Sequence, residues 1–440
     1  MSNDQLLRKK SLDMSFIKGI FGCGMTGFTQ EYFTPFLLLI GASAFHIGFL
    51  NSLSNLAASL VQLTSAELTQ LLGSRKKFIG LSVLLQSLII TFMVVFVFSG
   101  DTHIGIFISL VILFVSFGNI SNPAWVSFLS DLVDVNNRGA YFGWRGQYLG
   151  ILTVATMGLA GFIVDRMGHI DSRSGFALIF FLALACRLLS FFFLGKMQEP
   201  VLVFRREDQF SFFEFFGRIK ESNFVKFVLF VALMNFTVNL AAPFFAVLMI
   251  RDLSFSYLLY TLIIIIAPLT LYLTIQRWGR HADRTGNLKI IRLTSRLISL
   301  LPFLWIICRH PLYLIPVEMF SGFLWAGFNL CTVNYIFDAV SPQKRTRCLA
   351  YFSVVNGLGL ALGAFCGGYL VNHLPELFGY KILMLFLVST VCRLFVSFFF
   401  IRTVKEVRKP DRSHRSAEIF FSMIGMRPIL GIDRRRAMRM

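Results

Sequence analysis

The stretch EYFTPFLLL at 31–39 returns as NLAAPFFAV at 239–247, 208 positions later. Both copies place an acid or amide four residues ahead of a Pro-Phe pair inside an apolar run. Further markers follow in the same order. Asp131 stands seven residues before Arg138, and Asp338 seven before Arg345, an offset of 207. Gly161 opens GFIVD and Gly368 opens GYLVN, again 207 apart, and CRL at 186–188 recurs at 392–394, 206 apart. Four markers at a nearly constant offset indicate a duplicated unit rather than chance similarity.

The unit is read from hydropathy. Apolar runs lie at 15–40, 46–66, 78–99, 103–129, 146–166, 175–196, 223–249, 255–275, 289–308, 311–338, 350–373 and 380–402. Each approaches the roughly 20 residues that cross a hydrocarbon core as a helix. Twelve spans in two sixes give each half an even number. The two halves therefore share one orientation, a parallel repeat about an axis along the membrane normal. The expected fold class is an all-α integral membrane protein with two pseudo-symmetric six-helix bundles.

Composition agrees. The 440 residues are 56% hydrophobic, include 51 Phe, and only 15% are charged. A soluble domain carries about 25% charge, so a soluble enzyme and a disordered chain are excluded. The seven Cys show no metal-ligand spacing, and neither a metal nor a cofactor is expected. GCGMTG at 22–27 fits a dinucleotide-binding pattern, but no strand precedes it and it lies inside a span, so helix packing is the better reading. The His residues form no H-E-x-x-H pattern, and an enzyme is not expected.

The net charge of +19 is explained by where the charges fall. With the N-terminus in the cytoplasm, and with the Lys and Arg near cytoplasmic span ends, Lys18 among them, counted there, the cytoplasmic pieces hold 34 Lys and Arg and the outer loops hold 5; Arg187, Arg296 and Arg393 lie deeper within spans. That is a strong positive-inside bias. It places both termini in the cytoplasm of an inner or plasma membrane and removes the need for a nucleic-acid partner. The expected organisation is a cytoplasmic N-terminus at 1–14, a first bundle at 15–196, a cytoplasmic loop at 197–222, a second bundle at 223–402 and a basic tail at 403–440. FSFFEFFGRIKES in the loop and IFFSMIG in the tail interleave Phe-rich patches with charge, a pattern suited to the membrane surface.

WGRHADRTGNLK at 278–289 resembles the loop signature of the major facilitator superfamily, matched at Gly279, Asp283, Arg284, Gly286 and Lys289. The first-half loop, AELTQLLGSRKK, keeps Gly73 and the basic run from Arg75, with Gln70 at the Asp position. The resemblance covers about 15–402. It implies twelve helices, a central cavity lined by the first, fourth, seventh and tenth, transport by alternating access as a monomer, and a gating set of Gly73, Arg75, Asp131, Arg138, Gly279, Asp283, Arg284, Gly286, Asp338 and Arg345. The alternative is a receptor or scaffold that keeps this fold without transporting.

Polar residues on those helices are the substrate-cavity candidates, because polar groups in a span face the bundle interior or water. Glu318, Gly322, Trp325, Asn329 and Thr332 share one face by spacing. Asn235 and Asn239, Asn119 and Asn122, and Gln30 join them. The alternative is that amides and small residues hold helices together. Glu31 is the proton-coupling candidate. A mid-membrane carboxylate is protonated, paired or solvated, so it serves as proton carrier, as partner of a substrate cation, or as half of an ion pair with Arg187. Arg187 and Arg393, placed alike in the repeat, read as packing groups or as contacts to an anionic substrate. The expected partners are the lipid bilayer, protons and an unidentified small solute.

Overall fold

The computed structural model describes residues 3–134, 138–169, 171–199, 222–340 and 345–407. Among the described residues, eleven helices are long and apolar enough to cross a membrane. They are α2 (Ala44–Leu72), α3 (Arg75–Phe98), α4 (Ile104–Leu132), α5 (Tyr141–Gly168), α6 (Ser174–Gly195), α7 (Asn223–Asp252), α8 (Tyr257–Ala282), α9 (Asn287–Ile307), α10 (Pro311–Ala339), α11 (Cys348–His373) and α12 (Lys381–Thr403). The twelfth, α1, is Asn3–Thr29 continued through a 3-10 turn at Gln30–Tyr32 into Phe33–Leu39. It carries Lys18 and Glu31 within its apolar stretch.

Several helices outrun their apolar runs at the end expected to be cytoplasmic. α1 begins at Asn3, and the helices containing α5 and α11 begin at Arg138 and Arg345. Hydropathy marks only the lipid-facing length, whereas polar residues extend a helix into the headgroups without breaking it. The expected loop at 278–289 is largely helix: α8 continues to Thr285, and only Gly286, at φ +88, separates it from α9. Gly279 therefore lies inside α8 rather than in a tight turn. Of the glycines in the two matching loops, Gly286 and, in the first half, Gly73 at φ +64 take a positive φ, a conformation that L-residues rarely adopt.

Two helix breaks repeat between the halves. Pro35 lacks an N–H, and its ring crowds the carbonyl four residues earlier, which is that of Glu31. Pro243 does the same to Asn239, where the first stretch of α7 ends. Within α4, Pro123 follows the interruption at Ser121.

The first bundle packs around an aromatic cluster in which Phe36 meets Phe96, Phe107, Phe176 and Phe180. The halves meet through α2 against α11 and α5 against α8. At the first crossing, a Cβ on Gly48 would lie 2.7 Å from the Cα of Gly368, so the backbones touch. At the second, Tyr32 of α1, fully buried, donates to the Met157 carbonyl of α5 at 2.6 Å and lies 3.0 Å from the Thr261 hydroxyl of α8. Gly359, Gly363 and Gly367 of α11 lie against backbone carbonyls of α7. This is the close helix approach expected of a small-residue ridge.

Candidate functional site

A cavity of about 350 Å³ lies within the second half and is bounded on one side by Glu31 of the first. Its polar lining is Glu31, Tyr260, Glu318, Ser321 and Arg393, and its aromatic walls are Phe245, Trp305 and Trp325. Among the described residues, Glu31 is the only lining group from the first half. The rest come from α7 to α10 and α12.

Glu31 owes its place to the break in α1. Pro35 removes the donor that would have filled the Glu31 carbonyl, and a buried carbonyl without a partner costs about 1–3 kcal/mol. The Tyr260 hydroxyl of α8 supplies the missing bond at 3.1 Å. The break thus becomes a contact between the halves, and the Glu31 side chain is left accessible on the cavity wall. Glu318 accepts from the Trp305 indole N–H at 3.2 Å, which fixes its carboxylate against α9. Arg393, 3% exposed, is held by neutral acceptors: Ser389 Oγ at 3.0 Å, the Val238 carbonyl at 3.2 Å and the Ile298 carbonyl at 3.4 Å. Ser389 in turn donates to the Thr237 carbonyl at 2.7 Å, which turns its lone pairs toward the guanidinium. Among the described residues, none of the three charged groups has an ion-pair partner. The expected alternative of a Glu31–Arg187 pair is not found.

The tenth-helix face divides. Glu318 and Trp325 line the cavity and bring in Ser321, which the spacing analysis passed over. Gly322 packs against the Ala267 carbonyl of α8, and Asn329 is exposed away from the cavity. The amides do not line this cavity either. Asn235 donates to Asn356 of α11 at 2.6 Å, and Asn239 donates back to the Asn235 carbonyl at 3.2 Å, so both serve the α7–α11 contact. Asn119 bonds its own helix at 2.9 Å, Asn122 is exposed beside Pro123, and Gln30 is exposed beside Glu31. Tyr260 and Trp305 were missed because aromatic residues in apolar runs carry no pattern that separates a wall from a core.

At the opposite end of α3 from the cavity layer lies an ion-pair cluster. Arg75, buried, reaches Asp131 of α4 at 2.6 Å. Glu199, just beyond α6, accepts from the Arg75 backbone N–H at 2.7 Å and from the Ser74 hydroxyl at 2.5 Å, so it caps the start of α3. The second half repeats the arrangement. Glu406 accepts from the Leu288 N–H at 2.8 Å at the start of α9, and Asp338 accepts from Asn287 at 2.8 Å. Glu199 and Glu406 stand 207 apart, and extending the repeat by that offset would have found them. The side chains of Arg138, Asp283, Arg284 and Arg345 lie outside the described residues, as do the loop segment 200–221 and the tail from 408.

The model of the Major Facilitator Superfamily matches residues 19–333 and, in a second match, 227–432. The chain belongs to that superfamily. It is a multi-pass membrane protein of a transporter family rather than of an enzyme family. Among solved structures, it is similar to a point mutant of the nucleoside transporter NupG, with a TM-score of 0.71 at 15% identity, covering 91% of this chain and 100% of that one. Unmutated NupG matches with a TM-score of 0.67 at 15% identity, over 91% and 99% of the two chains. A bacterial homolog of the human lysosomal transporter Spinster, inward-facing and unoccupied, matches with a TM-score of 0.64 at 12% identity, over 92% and 98%. At such identities the likeness is one of fold. No curated protein matches.

Proposed function

We propose that this protein is a monomeric secondary transporter of the inner or plasma membrane, with both termini cytoplasmic. It moves a small solute by rocking its two bundles about the central cavity, coupled to protons through Glu31. The observation that carries the reading is the position of Glu31. It is a titratable group of the first half, set at a helix break and facing a cavity whose other described walls belong to the second half. Rocking one bundle against the other changes the surroundings of that carboxylate more than those of any group fixed within the cavity wall. A broken helix at the repeat interface is where transporters of this architecture place their sites. The 34-to-5 distribution of basic residues supports the orientation, and the Arg75–Asp131 pair supports a working gate in spite of Gln70.

The test uses proteoliposomes loaded with a pH-sensitive dye and challenged with a panel of metabolites. The wild type should move protons on addition of at least one solute. Glu31→Gln should abolish that movement while exchange of the same radiolabelled solute continues. Proton movement at the wild-type rate in a well-folded Glu31→Gln protein would refute the coupling role.

A further inference from the structure

The first bundle holds a second group of charges that the cavity does not use, with Arg187 buried and Lys18 and Arg145 half-buried. Lys18 of α1 places its ammonium 3.4 Å from the centroid of the Trp125 ring in α4, and the Arg145 guanidinium of α5 lies 5.7 Å from the same ring. Arg187 is brought near by α6, where Ser190, three residues on, donates to the Lys18 carbonyl at 3.3 Å. Arg187 of α6 is 9% exposed, and its Nε has no hydrogen-bond partner; the same holds for the buried Nε of Arg145. Arg145 donates through Nη2 to the Ser15 carbonyl at 3.2 Å, and it lies beside the Tyr141 hydroxyl and the Cys23 thiol. Among the described residues, no acidic side chain forms an ion pair with any of the three.

Trp125, Arg145 and Arg187 occupy one layer, and Lys18 reaches it at the Trp125 ring. Trp125 stands seven residues from the end of its helix at Leu132, Arg145 seven from the helix start at Arg138, and Arg187 eight from Gly195. At 1.5 Å per residue, each lies about 10–12 Å inside the same face. The repeat shows that the unfilled donor of Arg187 is not a general property of this position. Arg393, the counterpart of Arg187, has its Nε filled by Ser389. The residue 206 positions before Ser389 is Ala183, which offers no acceptor. The first half has kept the cation and dropped the group that satisfies it.

Three cations in a weakly polarisable interior repel one another, and unpaired buried charge is costly. A ring face accepts one of them but leaves the net charge in place. We propose that Lys18, Arg145 and Arg187 form a binding site for an oxyanion, a carboxylate or phosphate group, seated against Trp125. The group belongs to the transported solute or to an anionic lipid headgroup. In the first case the inference rests on the transport reading and makes the solute an organic acid or phosphate ester.

The test is thermal unfolding and calorimetric titration of the full chain in nanodiscs of neutral phosphatidylcholine. The probes are inorganic phosphate, succinate and benzoate, with glucose as the uncharged control and choline as the cationic one. At least one oxyanion should raise the unfolding temperature, and neither control should. Lys18→Met and Arg187→Met should each weaken that binding tenfold or more. Without oxyanion, the same variants should unfold at a higher temperature than the wild type, because a repelling charge has gone; a cation that merely packs would show the reverse. If no soluble oxyanion binds but phosphatidylglycerol in the nanodisc stabilises the wild type and not the variants, the ligand is the headgroup. Absence of any response to soluble oxyanions and to phosphatidylglycerol alike would overturn the site. Glu31-dependent flux of an uncharged or cationic solute alongside that absence would overturn this inference and leave the transport reading standing.

Discussion

Asp165, at the last turns of α5, accepts a hydrogen bond from the Leu258 backbone N–H at 3.2 Å. Leu258 lies in the first turn of α8, where backbone donors lack intrahelical partners. Ser256, the N-cap, covers the Leu259 donor at 3.2 Å, so Leu258 depends on a carboxylate from the other bundle. The contact combines a charge-assisted hydrogen bond of about 1.5–3 kcal/mol with a favourable charge at a helix N-terminus of about 0.3–1 kcal/mol. Asp165 is only half-buried, and water replaces part of the bond when the halves part, so about 1–2 kcal/mol remains as the preference for closure at this end, the outer face in the proposed orientation. At 1.4 kcal/mol per decade, that is roughly a five- to thirtyfold bias. Asp165→Ala should raise the ratio of outward-open to outward-closed molecules by that factor. Asp165→Asn, which keeps an acceptor and loses the charge, should produce a smaller change. Spin labels at the outer ends of α5 and α8 would read the two populations as separate distance peaks. Populations in Asp165→Ala within twofold of wild type would refute the reasoning.

Glu199→Ala and Glu406→Ala should lower the unfolding temperature by similar amounts, each removing about 1–3 kcal/mol of capping at α3 and α9; a loss confined to one of them would show that the repeated geometry is not matched by repeated energetics. A reporter active only outside the cytoplasm should be silent when fused after residue 402 and active when placed at 101–103, and the opposite pattern would sink the proposed orientation.

The twelve-helix duplicated fold was legible because lipid imposes a length and a polarity on each span, and the repeat carries its own internal check. The site was legible only in part. Glu31, Glu318 and Trp325 line the cavity, as expected of a carboxylate or a large polar ring in a span, which has few places to go. The amides were misplaced for a physical reason: helical spacing tells which residues share a face, not what that face meets. Asn235 and Asn239 meet α11, and a bonded amide between helices has the same periodicity as one lining a cavity. Arg187 and Arg393 share the motif CRL, yet their surroundings differ through one substitution on the neighbouring turn, Ala183 for Ser389. That difference becomes readable only when the repeat is aligned residue by residue.

The Glu31 carbonyl, left without a helical donor by Pro35 and held by Tyr260 of the opposite bundle, makes the bilayer interior sensitive to motion. When the bundles part at that point, the oxygen exchanges a phenol for water, since neither lipid nor the straightened chain has a donor to offer. In the proposed transport cycle, each conformational stroke would then be accompanied by local wetting beside the carboxylate, and the arrival of that water would open a path for a proton at the moment the site faces solution. The imino acid four residues away thereby sets the timing of hydration as well as the bend of the helix.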